Sequence, residues 1–246
     1  LIFAVLIASP VFAGDKTGPF QPGEKLDFEL KWTVIPAGEA TLQVLPMRKD
    51  VNNEMYHFVL TAKTNKFADR IYKVRDRIDA YTDKEMTHSL YYAKKQREGK
   101  TRKSVIVKFY WDQNQAVYND ILKGKKRKPI SILPGAFDPL SIFYFARGLP
   151  LRINMELERP VTDGKKCVIG KTRILKRETI TVKAGTFDTF LIVPELKHIG
   201  GVFKKSKNAK IEVWVTADER KIPVKLMSEV IVGKFSAELV SYRMGL

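Results

Sequence analysis

Apolar and polar residues alternate along most of this chain. In 25–33, Leu26, Phe28, Leu30 and Trp32 fall on one face and charged residues on the other. The same period of two runs through 40–45 (Leu42, Val44), 56–64 (Tyr56, Phe58, Leu60, Ala62) and 104–110 (Val105, Val107, Phe109). It returns in 176–182, 189–194, 211–216, 223–232 and 235–243. Successive side chains of a strand point to opposite faces, so each segment predicts a strand with one apolar side. Clusters of Gly, Asn, Asp and Lys between the segments supply hairpin connections.

Helical signal is sparse. The clearest stretch follows Asp138, whose side chain can accept from free backbone N–H groups. Pro139 suits a first helical position, which needs no donor. The run through Arg147 is apolar nearly all round, which predicts a buried helix over 139–147. Gly148 then offers a left-handed stop. Residues 66–72 predict an amphipathic turn at most. Together these features predict an all-β fold with minor α content. It is an antiparallel curved sheet, or an open or incomplete β-barrel, with one buried helix.

Gly38, Gly185 and Gly233 each precede an alternating strand, a recurrence that reads as shared hairpin chemistry rather than duplication. No Pro-, Gly- or Ser-rich linker divides the chain, and the basic stretch 123–129 reads as a loop. Residues 14–246 are therefore expected to form one β-rich domain. Residues 1–13 are apolar and uncharged and end in Val11-Phe12-Ala13. That pattern predicts the last part of a secretory signal, with cleavage near Gly14. The stretch is too short to span a bilayer as a helix. A buried N-terminal strand or helix is the plainer alternative. Export predicts a periplasmic protein of a Gram-negative bacterium.

Composition narrows the chemistry. The chain has 246 residues, 44% of them apolar and 11% aromatic, which excludes a disordered protein. A single cysteine, Cys167, excludes an internal disulfide or a Cys-rich zinc site, and reads as a small buried apolar residue. His57, His88 and His198 are too scattered to hold a metal, and no cofactor is expected. The formal charge of +17 favours an anionic partner. Nucleic acid is not expected, because no binding motif is visible and export removes the chain from it.

Several motifs resemble the exported bacterial family DUF3108, a domain of unknown function. They are Phe20-Gln21-Pro22-Gly23-Glu24-Lys25-Leu26, the run from Trp32 to Ala40, Val74-Arg75-Asp76-Arg77 and the helical run from Asp138 to Arg147. The runs Val182 to Phe187 and Trp214 to Val224 complete the set. The order matches over nearly the whole chain after residue 14. The resemblance implies a periplasmic β-rich domain and no established activity. The last motif also resembles the outer-membrane lipoprotein-sorting proteins, which implies an incomplete barrel with an apolar cavity for acyl chains.

Candidate binding residues follow. Arg75 and Arg77 share one strand face, where two guanidinium groups can grip a phosphate or carboxylate. Alternatively they form ion pairs with Glu29, Asp79 or Asp83. Basic clusters at Lys94 to Lys103, at Lys123 to Lys128 and at Lys204 to Lys207 can meet lipid phosphates, or simply keep strand edges soluble. Arg147 suits a helix C-terminus, and with Tyr144 it can instead form a polar spot within an apolar cavity. Trp32 and Trp214 read as core residues or as ligand platforms. Asp138 reads first as a helix cap. No carboxylate pair has a spacing that fixes its separation, and His88-Ser89 lacks the elbow of a serine nucleophile.

The leading expectation is a non-enzymatic periplasmic binding protein for a lipid or other anionic amphiphile, serving envelope maintenance. An apolar groove would take the chain and basic rim residues the head. The expected molecule is a monomer that can touch the outer-membrane surface. A cell-wall or exopolysaccharide enzyme or binder, and a structural envelope adaptor, are the alternatives.

Overall fold

The computed structural model describes residues 18–50, 53–195, 210–230 and 233–245. The expected signal, His198 and the cluster at Lys204 to Lys207 lie outside the described residues.

In chain order the strands are β1 (Lys25–Trp32), β2 (Ile35–Asp50), β3 (Asn53–Thr64), β4 (Arg75–Asp83), β5 (Ser89–Glu98), β6 (Thr101–Tyr110) and β7 (Gln115–Asp120). Two short strands follow, β8 (Lys125–Lys126) and β9 (Ile130–Ser131). The rest are β10 (Glu156–Thr162), β11 (Cys167–Val182), β12 (Gly185–Pro194), β13 (Lys210–Thr216), β14 (Pro223–Val230) and β15 (Gly233–Arg243). Helix α1 (Lys66–Asp69) follows β3, and α2 (Ser141–Arg147) lies between β9 and β10. All fifteen strands join one antiparallel sheet, ordered β10 to β15, then β1 to β8, with β9 on β7.

The sheet is an incomplete barrel, as the sequence predicts. Its two edges, β8 and β9 on one side and β10 on the other, are joined not by a ladder but through the segment 132–140, which bonds the start of β5 and β10. There Ser89 N–H donates to Ala136 O at 3.1 Å, Phe137 N–H to Pro160 O at 3.0 Å and Thr162 N–H to Phe137 O at 2.9 Å. A single parallel bridge, Phe137 to Val161, completes the link.

The period of two puts one apolar set inside. Val44, Phe58, Ala80, Tyr92, Val107 and Tyr118 are successive lateral partners from β2 to β7, and all are buried. Burying one such large side chain contributes about 1.5–3 kcal/mol. Gly38 is required by a close approach between strands: a Cβ there would lie 2.2 Å from the Lys63 carbonyl oxygen.

Helix α2 closes the core. Tyr144 stacks on Phe58 with centroids 4.0 Å apart, and Phe20 meets both rings edge-on. Phe137 packs on Phe145 at 4.9 Å. The helix begins two residues later than expected. The Asp138 carboxylate accepts from Leu140 N at 2.8 Å and Ser141 N at 3.0 Å, so it caps a turn through Pro139 before the first helical residue. Ser89 Oγ donates to Asp138 at 2.6 Å. Burial pushes the Asp138 carboxyl up, and these bonds offset that only in part. Gly148 is not left-handed, since its φ is −76°. The chain instead tightens, with Leu149 N–H bonded to Ala146 O at 3.2 Å. Cys167 is half-buried rather than a core residue.

Arg147 is the largest fully buried side chain. It grips Glu24 in fork geometry, Nη1 to Oε1 at 2.6 Å and Nη2 to Oε2 at 2.8 Å. Its remaining donors reach Pro19 O and Arg220 O. Arg147 stands in the last turn of α2, and its guanidinium turns into the core. A buried guanidinium needs a carboxylate, and the segment before β1 brings one. Removing one partner of such a pair costs about 3–5 kcal/mol, because the other charge stays buried and unpaired. Arg147→Met and Glu24→Gln should each lower stability by about that amount in urea unfolding, and the double variant should cost less than the sum of the two.

Candidate functional site

The six residues singled out in the sequence do not converge. Tyr144 and Arg147 sit in the filled core beside α2, where Phe20, Phe58 and Phe145 occupy the space expected of an apolar groove. Trp32 is exposed and stacks on Phe235. Trp214 is buried, yet it lies on the outward face of β13, because its neighbours Val213 and Val215 point into the core. Its indole N–H donates to Glu178 at 2.8 Å and the Lys225 ammonium lies over its ring. Trp32 and Trp214 thus stay outside the inner core.

Arg75 and Arg77 do share a face, and it is the outward one. On β3 and β4, Phe58, Leu60 and Ile78 turn inward, so the alternate residues Thr61, Lys63, Arg75 and Arg77 turn outward. Lys95 of β5 is the lateral partner of Arg77, and Lys63 of β3 that of Arg75. With Arg97, Glu39, Thr41 and Asp76 they line an open saddle of about 500 Å³.

Like charges facing each other across a ladder destabilise it. Here the repulsion is only partly relieved. Arg75 holds Asp69 through both terminal nitrogens, at 2.9 and 2.7 Å. Arg77 holds Asp79 at 2.8 and 2.7 Å, and Lys63 pairs with Glu39 at 2.7 Å. Of the ion partners expected from sequence, Asp79 alone is found. Glu29 is taken by Lys183 and Lys31, and Asp83 accepts from Thr87 and the His88 amide. The bond to Arg75 holds the Asp69 carboxyl below its ordinary value. Burial raises the Asp79 carboxyl, but Arg77 and His57 outweigh it and hold it low.

Lys95 and Arg97 are exposed and have no carboxylate partner among the described residues. Asp76 does not supply one, because its carboxylate accepts from the backbone N–H of Arg97 at 3.0 Å, replacing a ladder bond. Burial, and then the Asp76 carboxyl beside it, push the Glu98 carboxyl up. Besides Lys63, which Glu39 neutralises, the saddle thus offers four outward cations in a two-by-two array, with two of them unneutralised. Sequence reading found Arg75 and Arg77 as a pair. Their alignment with Lys95 and Arg97 depends on register, although the spacing of two in each pair was visible. No group of three or more metal-ligating side chains occurs among the described residues.

Residues 27–240 match the family DUF3108, described as a protein of unknown function, and the chain belongs to that family. Among curated proteins, none matches the chain. The fold is similar to the crystal structure of a β-barrel-like protein of family DUF1849 from Brucella abortus. The TM-score is 0.57 at 9% identity, covering 92% of this chain and 99% of that one. A candidate lipoprotein from Parabacteroides distasonis aligns at TM-score 0.37 and 12% identity, over 93% of this chain and 100% of that one. A candidate exported protein with a YmcC-like fold from Bacteroides fragilis aligns at TM-score 0.37 and 8% identity, over 92% and 98%. Alignments that loose establish no shared fold.

Beside the saddle, His57 is buried, stacks on Tyr81 and bonds Asp79 through Nε2 at 2.9 Å. Burial lowers its pKa below the ordinary 6.5, Asp79 opposes this only in part, and Arg48 and Arg77 add to the lowering. The unfolded chain therefore takes up a proton that the folded ring refuses, and stability is lost as pH falls below about 6.5. His88 is lowered by burial too and adds to the same slope. The urea midpoint should fall between pH 7.5 and pH 5.5, and His57→Gln, which keeps a donor for Asp79, should flatten part of that fall.

Proposed function

We propose that this member of the DUF3108 family is a non-enzymatic binding protein of the cell envelope, exported to the periplasm. Its ligand is an anionic amphiphile whose phosphate or carboxylate head is recognised on the outward saddle. The observation that carries this reading is the cation array of Arg75, Arg77, Lys95 and Arg97, in which two charges lack a carboxylate. Guanidinium forks match phosphate and carboxylate oxygens bidentately. Asp69 and Asp79 occupy the Arg75 and Arg77 forks by two contacts each, so the fork open to a ligand is that of Arg97, with the Lys95 ammonium beside it.

Export is supported by the apolar segment 1–13 with its small residues before Gly14. The core beside α2 is occupied by the protein's own rings, which favours recognition of the head over enclosure of the chain at that level.

Calorimetric titration with short-chain phosphatidylglycerol below its micelle concentration tests the reading. The protein should bind, and Lys95→Ala/Arg97→Ala should weaken binding on the order of tenfold without altering stability. Raising salt should weaken it further. Equal affinity of wild type and double variant would overturn the assignment of the saddle.

A further inference from the structure

The antiparallel order places the β1–β2 turn, the α1 segment after β3, the β5–β6 turn and the β7–β8 turn at one end of the barrel. Backbone bonds tie these segments to the strands and turns beside them. Thr33 N–H bonds Lys234 O at 2.7 Å and Asn65 N–H bonds Ala37 O at 2.9 Å. Gly99 N–H bonds Lys73 O at 2.8 Å, and Ile121 N–H bonds Ser104 O at 2.8 Å. The Tyr72 ring lies against Gly99, where a Cβ would come within 2.7 Å of it.

Six large apolar side chains are more than half exposed among the described residues: Val34, Phe67, Ile71, Tyr72, Ile121 and Leu122. All six stand in these turns. No ordinary solubility argument concentrates them there, since scattered apolar residues distribute over a surface whereas a cluster marks contact with something apolar.

The charges in the same turns are nearly all of one sign. Lys66, Arg70, Lys73, Lys100 and Lys123 are exposed and unpaired among the described residues. Asp69, the single carboxylate of these turns, is engaged by Arg75. The opposite end differs, with exposed Glu85, Asp112, Asp218 and Glu219 in its turns.

We infer that this end of the barrel is a peripheral seat on an anionic lipid bilayer. Apolar tips would enter the boundary between head groups and acyl chains, and the lysines and arginines around them would meet lipid phosphates. A protein partner would not need cations in three of the four segments. A purely electrostatic partner would not need six exposed apolar tips. The inference uses a surface separate from the saddle and does not depend on the ligand proposed for it.

Cosedimentation of the purified protein with sucrose-loaded vesicles is the test. Wild type should bind phosphatidylglycerol–phosphatidylethanolamine vesicles and not phosphatidylcholine vesicles. Ile71→Ser/Leu122→Ser should reduce binding on the order of tenfold with an unchanged melting temperature. Lys66→Glu/Lys100→Glu should reduce it by a similar factor at low salt. Failure of wild type to bind the anionic vesicles, or equal binding by the serine variant, would overturn the inference. Wild type that binds the anionic vesicles but not soluble phosphatidylglycerol would instead count against the saddle alone.

Discussion

Glu24 and Arg147 meet where water is excluded, and the rest of the interior is arranged around that contact. Taking two charges out of water costs several kcal/mol per ion. The cost is offset only because the guanidinium finds an acceptor on every side: both Glu24 oxygens, Pro19 O and Arg220 O. The rings of Phe20 and Tyr144 flank the same cation at 5.4 Å. Three distant stretches are joined at one point: the segment before β1, the end of α2 and the β13–β14 turn. The packing of Phe20, Phe58 and Tyr144 then has one register.

The two faces of the sheet divide the work. The inward face packs aromatic and aliphatic side chains around α2 and becomes polar toward the end that carries α1. Lys94 lies between Ile78 and Val105 in the lateral rows, and burial lowers its ammonium pKa. Gln96 and Glu98 follow on the same side, bonded to each other at 2.8 Å. The outward face of the same strands carries the saddle. One strand, β5, therefore contributes to the core through Tyr92, to a polar mouth through Lys94 and to the outward array through Lys95 and Arg97.

Much of this fold is legible in the sequence. Strands with strict alternation are predicted closely, β1 within one residue and β3 and β6 within three, the missed residues lying at their polar beginnings. Only halves of β2 and β11 are visible, since both run past the apolar stretch into polar hairpins. β5 escapes notice because its inward positions change from Tyr92 to Lys94 to Gln96, which erases the period of two. The site is less legible. Arg75 and Arg77 are evident as a pair, but which way they face depends on the apolar partner residues of β3 and β4. Lys95 and Arg97 read as part of a basic run until register sets them opposite. Glu24 and Arg147 stand in two of the motifs that resemble the family, yet a separation of 123 residues hides their contact.

The first strand of this sheet takes the last as its neighbour: β1 pairs with β15 from Lys25–Arg243 to Trp32–Phe235. On one side, then, β1 has an open edge until the final strand has been made. Folding is an event of the whole chain, and contacts between such remote segments are slow to form. A chain shortened at its far end would leave β1 and β14 as bare edges, ready to pair with other molecules. A polypeptide kept extended until complete would forfeit nothing by the delay.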